Sequence, residues 1–127
     1  MLWVILFNFQ SMFFLEMAQF IYLKPFLHYF LHFIFPSFIA WIFYKKEWKK
    51  VYVILLLTMI VDIDHLFADP IFSPGRNSIG YHYLHSYPAI FSYVLLFLFG
   101  KGYSRVVAIG LLFHMLTDFI DFNVWLY

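Results

Sequence analysis

The stretch Val51-Tyr52-Val53-Ile54-Leu55-Leu56-Leu57-Thr58-Met59-Ile60-Val61-Asp62-Ile63-Asp64-His65-Leu66-Phe67-Ala68-Asp69 decides how this chain is read. Val51 to Val61 carries no charge, whereas Asp62 to Asp69 holds three carboxylates and an imidazole. Charge at the end of a membrane-length apolar segment is costly unless it is paired or bound. The partners of Asp62, Asp64 and His65 are therefore the question the rest of the chain has to answer.

Composition sets the solvent. Of 127 residues, 65% are hydrophobic and only 12% charged. Soluble domains are about 45–50% apolar and about 25% charged, so the sequence reads as an integral membrane protein. Aromatic residues make up 26% of the chain, and not every one of them is read as functional. A net charge of +1 gives no electrostatic case for nucleic acid. With no cysteine, disulfides, Fe–S clusters and thiolate zinc sites are excluded, and only nitrogen and oxygen ligands remain.

The hydropathy pattern predicts an all-α, polytopic membrane helix bundle with four main transmembrane helices. Residues 1–23 are set apart as an optional hydrophobic helix or the product of a misassigned start, with Met12 or Met17 as the initiator. Residues 24–127 form a single domain. Pro25 suits the first turn of a helix, and Phe26 to Tyr44 is uncharged and long enough to span. The basic loop Lys45-Lys46-Glu47-Trp48-Lys49-Lys50 follows, and the second span runs from Val51 to about Ala68. Asp69-Pro70 ends it, and Ser73-Pro74-Gly75-Arg76-Asn77-Ser78 reads as a turn-rich loop. A short third span covers about Pro88 to Phe99, and Val106 to Phe122 is the last.

Six of the eight Lys and Arg residues fall in loops 45–50 and 101–105. Four spans place those loops on one side, which the positive-inside rule makes cytoplasmic in a bacterial inner membrane. All six histidines and five of the seven acidic residues then gather towards the outer, periplasmic leaflet. A lone histidine near an interface is more often a headgroup-level residue than a ligand. Independent interfacial histidines would, however, divide between the two faces, and these do not.

Spacing supports a shared site. His28 and His32 are an i,i+4 pair, the arrangement that lets two imidazoles of one helix face share a metal. His114, Asp118 and Asp121 form one helical stripe, as do Asp62, His65 and Asp69. His82 and His85 are three apart in the outer loop or at the start of the third span. Asp64 points elsewhere on a regular helix, so either it orients a histidine from behind or the helix unwinds there. Helix bundles build metal sites from such inward-facing ligands.

The elements His28-xxx-His32, Asp62-x-Asp64-His65, His82-xx-His85-Ser86 and His114-xxx-Asp118 resemble those of the YdjM-like, LexA-binding, inner-membrane-associated metal-dependent hydrolases. From about Leu23 to Asp121 the chain looks still more like a small bacterial membrane-protein family of unknown function related to that group. The larger family usually carries His-Arg-Gly before Thr-His-Ser, whereas this chain has His82-Tyr83-Leu84-His85-Ser86 and lacks the Arg. If that Arg binds an anionic substrate, Arg76 is the available substitute.

A His/Asp ligand set without Cys suits Zn²⁺, Mn²⁺ or Fe²⁺. The expectation is one or two divalent ions, Zn²⁺ first, held among His28, His32, Asp62, His65, His82, His85, His114 and Asp118. Asp64 or Asp121 would be the general base. The resemblance implies a hydrolase, and the position of the site at the outer leaflet suggests a phosphoester or ester of a lipid-like substrate, with membrane lipid as partner. Two other classes fit the same residues. A metal-ion or proton transporter would use the His/Asp relay, although the inner halves of the spans offer no continuation. A haem-binding bundle would use two axial histidines but leaves the carboxylates unexplained. A non-catalytic membrane protein is the fourth reading.

Overall fold

Pro25 stands in the first turn of an apolar run and starts α1 (Lys24–Phe43). The computed structural model describes residues 22–71, 73 and 76–124, together with Ser11, Met12, Phe14 and Met17. The expected N-terminal helix lies almost wholly outside the described residues.

α1 is not uniform. Residues Phe30–Ile34 form a π-helical turn, in which the Phe35 N–H bonds to the Phe30 carbonyl five residues back. Pro36 supplies the cause. It has no N–H to offer the His32 carbonyl and its ring crowds that carbonyl, so the ladder takes up an extra residue. The result turns His32 inward, to 2% exposure.

A tight turn at 44–47 leads into α2 (Trp48–Leu57), with the Glu47 N–H on the Tyr44 carbonyl and the Val51 N–H on the Glu47 carbonyl. At Thr58 the geometry changes. The Thr58 hydroxyl donates to the Leu55 carbonyl at 2.6 Å, and Thr58–Phe67 continues as a 3₁₀ helix. Short side chains that bond back to the previous turn compete with the regular ladder in this way. Three residues per turn align Thr58, Val61 and Asp64 in one row, and those three are the buried ones.

On a 3.6-residue helix Asp64 points away from Asp62 and His65; the segment instead winds at three residues per turn, and Asp64 is only 3% exposed. Asp69 was expected to extend the Asp62/His65 stripe. Instead the helix ends at Phe67, Ala68 is extended, and Asp69 is exposed.

The loop returns through a short 3₁₀ turn, Tyr83–His85, into α3 (Tyr87–Phe99). Ser86 caps α3, its hydroxyl accepting from the Ala89 N–H, and Pro occupies the first turn. Gly80 has φ +83° and donates its N–H to the His85 carbonyl, a left-handed position that other residues adopt only with strain. A turn at 100–102 joins α3 to α4 (Tyr103–Val124), the longest helix.

Among the described residues the fold is all-helical, without strands. α1 and α4 are each long and apolar enough to cross a membrane. α3, at 13 residues, falls short of that length, and the segment expected as the second span is divided at Thr58.

Ala40, Val51, Leu55 and Val106 tie α1, α2 and α4 together. The closest approach is at Gly110, where a Cβ would lie 2.5 Å from the Thr58 hydroxyl, so α4 meets the α2 junction only because that side chain is absent. The interior is unusually polar: His32, Thr58, Asp64, His82, His85, His114 and Thr117 are buried beside an equal number of hydrophobic residues, while Phe43, Phe67 and Phe99 are about three-quarters exposed.

Candidate metal centre

The Thr58–Gly110 contact sets the site. Asp62 lies four residues beyond Thr58 and His114 four beyond Gly110, and their side chains meet with His114 Nε2 3.0 Å from Asp62 Oδ1. His85 enters from the short 3₁₀ turn, its Nε2 3.3 Å from His114 Nε2 and 3.4 Å from Asp62 Oδ1. Asp118, one turn beyond His114 on α4, brings Oδ2 to 3.3 Å from His85 Nε2 and 3.6 Å from His114 Nε2. Four ligand atoms from three segments, two nitrogens and two oxygens, lie within 4.8 Å of one another.

These separations can be compared with a coordination shell. Ligands about 2.0–2.1 Å from a tetrahedral zinc ion stand about 3.3 Å apart, and the separations from His85 Nε2 and His114 Nε2 to the other ligand atoms run from 3.0 to 3.6 Å. His85 Nδ1 is 3.1 Å from Asp64 Oδ2, and in the tautomer that carries its proton on Nδ1 that proton goes to Asp64 and Nε2 offers a lone pair. On the other side of the ring Nε2 faces one oxygen each of Asp62 and Asp118 and the His114 Nε2, and these four atoms can pair through ring protons or share a cation.

The surrounding residues hold the four in place. Asp64 also accepts the Leu84 N–H at 2.6 Å and contacts His65 Nδ1 at 3.1 Å, so both of its oxygens are engaged behind the cluster. Such a carboxylate–histidine pair fixes the tautomer and orientation of a metal ligand. His32 Nε2 lies 3.3 Å from the other oxygen of Asp118, and Thr117 joins them by accepting from His32 while donating to the His114 carbonyl.

The remaining expected residues form a rim. His28 Nδ1 is 3.6 Å from Asp121 Oδ2, and both are partly exposed. His65 reaches Ser78 at 3.2 Å, and the His82 ring stacks on it at 3.9 Å. Burial, and next the neighbouring His65 ring, hold the His82 imidazole below the ordinary histidine range. Arg76, the expected anion-binding substitute, lies over the Tyr81 ring. A second grouping, Asp64, His65 and His85, also has metal-ligand spacing but shares His85 with the first.

Of the eight residues expected as ligands, Asp62, His85, His114 and Asp118 converge. His32 stands behind Asp118, and His28, His65 and His82 lie outside the four-atom set. Asp64, expected as a base, is occupied behind His85. Sequence reasoning missed Thr117, Ser78, the Leu84 amide and Gly110. Thr117 directly precedes Asp118, but a hydroxyl in an apolar helix carries little signal.

The protein is thus an all-helical chain with a buried His/Asp cluster able to hold a metal ion. It belongs to the family of unknown function DUF6122, which it matches over residues 22–125, a range that takes in every residue of the cluster. No curated protein and no solved structure matches the chain.

Proposed function

We propose that this is a multi-pass membrane protein with four spans, and that its centre is that of a metal-dependent hydrolase acting on a phosphoester or ester of a lipid-like substrate. The observation that carries the reading is the convergence of Asp62, His85, His114 and Asp118, whose ligand atoms all lie within 4.8 Å of one another, with Asp64 holding His85 from behind.

The membrane part rests on an apolar exterior around a polar interior. Trp48–Leu57 and Thr58–Phe67 together rise about 35 Å, at 1.5 Å per α and 2.0 Å per 3₁₀ residue, enough to cross a 30 Å core despite the break. Lys45, Lys46, Lys49, Lys50, Lys101 and Arg105 orient those ends to the cytoplasm of a bacterial inner membrane and the centre to the periplasmic leaflet.

A divalent ion, Zn²⁺ first on ligand chemistry, would supply Lewis acidity for hydrolysis. The chain supplies the rest. Asp62 is half-exposed and forms the open side, while His85 and His114 are sealed from solvent. With both Asp64 oxygens engaged, Asp121, paired with His28 on the rim, is the carboxylate left as the base. The motif likeness to the YdjM-like hydrolases supports the same class.

Elemental analysis of detergent-purified protein, at neutral pH without chelator, tests the reading. The expected result is one divalent ion per chain in wild type and a loss in both Asp62→Ala and His114→Ala. Protein that carries no stoichiometric metal, or variants that keep it, would overturn the assignment.

A further inference from the structure

On one face α4 changes character along its length. Ser104, Val107 and Leu111 line an apolar cavity of about 590 Å³, and the same stripe continues into His114 and Asp118. On the opposite wall Leu57, Thr58 and Val61 line the cavity, and the Thr58/Val61 row ends in Asp64, which lies against His85. Leu84 also lines it, with its N–H on Asp64 and His85 following it in the chain.

The hydroxyls in the lining are already engaged. Thr58 donates to the Leu55 carbonyl, Tyr93 to the Leu84 carbonyl and Ser104 to the Lys101 carbonyl. A water placed there would lack the two to four polar partners that hold buried water. By the helix rise, Ser104 to Leu111 measures about 10 Å, and His114 stands a further turn along.

We infer that this cavity between α2, α3 and α4 holds one hydrocarbon chain of an amphiphile whose polar head lies level with the Asp62/His85/His114/Asp118 cluster. The inference rests on the membrane-hydrolase reading and narrows its substrate to a single-file arrangement: apolar tail along Val107 and Leu111, cleavable head at the centre. Along α4 the apolar stripe and the polar end are continuous, which matches the two halves of one amphiphilic molecule.

The probe is dodecylphosphonate carrying a mid-chain diazirine, added to metal-loaded protein in lipid nanodiscs, photolysed and mapped by peptide mass spectrometry. Labelling is expected on the segments 54–61 and 104–111, well above that on lipid-facing Trp41 and Leu98. Val107→Trp fills the cavity from a half-buried position and is expected to lower that labelling roughly tenfold, the effect of displacing about two methylenes. Metal content of the same samples is read separately. Labelling spread evenly over lipid-facing residues, or unchanged in Val107→Trp, overturns the cavity assignment even where metal is present. Cavity labelling in protein without metal upholds the tail site and removes only the centre's assignment.

Discussion

Asp64 Oδ2 lies 3.1 Å from Nδ1 of His85, and the same oxygen takes the Leu84 N–H at 2.6 Å. One carboxylate thereby holds both the turn that carries His85 and the orientation of its ring. Asp64 is 3% exposed and His85 fully buried. His85 Nε2 faces Asp62, Asp118 and His114 from the other side of the ring, and the ligand set depends on that orientation.

Asp64→Asn keeps the shape and removes the charge. Its amide still accepts from Leu84 but holds His85 Nδ1 weakly. Metal affinity is expected to fall about 10–100-fold, the usual cost of losing a partner behind a ligand. Competition against a chelator of known affinity measures it. Asp64→Ala adds a stranded Leu84 amide at about 1–3 kcal/mol, visible as a lower denaturation midpoint. Equal metal affinity in wild type and Asp64→Asn would refute the role.

His32 supports Asp118 from the side away from the cluster, at 3.3 Å and 2% exposure. His32→Phe fills the space but leaves one Asp118 oxygen without its imidazole. The variant is expected to lose about 1–3 kcal/mol of stability in the metal-free form and to hold metal more weakly. His32→Gln, which can still donate, is expected to recover most of both. A His32→Phe protein that binds metal as wild type does, in the same chelator competition, would remove His32 from the site.

An all-helical fold and a His/Asp grouping able to hold a metal were legible in the sequence because hydropathy and i,i+4 spacing report directly on faces. His114 and Asp118 sit on a regular helix, and their spacing holds in the structure. For Asp64 the spacing left two readings open, a partner behind a histidine or a departure from the regular helix, and the segment's three residues per turn, which no periodicity reveals, bring it behind His85. His28 and His32 look equivalent as a pair, but the π turn before Pro36 buries only the second. His82 and His85, three apart in a loop, diverge because Gly80 and Ser86 set that turn.

His82 gives a pH dependence of known sign. Its folded-state pKa lies below the unfolded value, so the unfolded chain binds the extra proton first. The folded state therefore loses stability as pH falls through the ordinary histidine range near 6.5, and the loss levels off below the folded pKa. His82→Phe keeps the stacking on His65 and cannot take up that proton. Thermal unfolding of metal-free protein between pH 7.5 and 5 is expected to show a shallower acid decline in this variant. Parallel declines would assign the effect to other groups.

Gly110 stands one turn before His114 on α4, and Thr58 stands four residues before Asp62 at the start of the 3₁₀ segment. Gly110→Ala puts a methyl where the Thr58 hydroxyl now stands, 2.5 Å from the new carbon, so α4 and the α2 junction must move apart. Overpacking of this kind costs about 1–3 kcal/mol. The shift is carried along each segment and lengthens the 3.0 Å Asp62–His114 approach. Gly110→Ala is therefore expected to lower both the denaturation midpoint and metal content, although neither residue touches the ion. Thr58→Ala removes the obstructing hydroxyl and methyl, and the double variant is expected to recover metal content above that of Gly110→Ala alone. Such non-additivity is the mark of residues in contact. Independent, additive losses in the double variant would show that the helix spacing at Gly110 does not govern the centre.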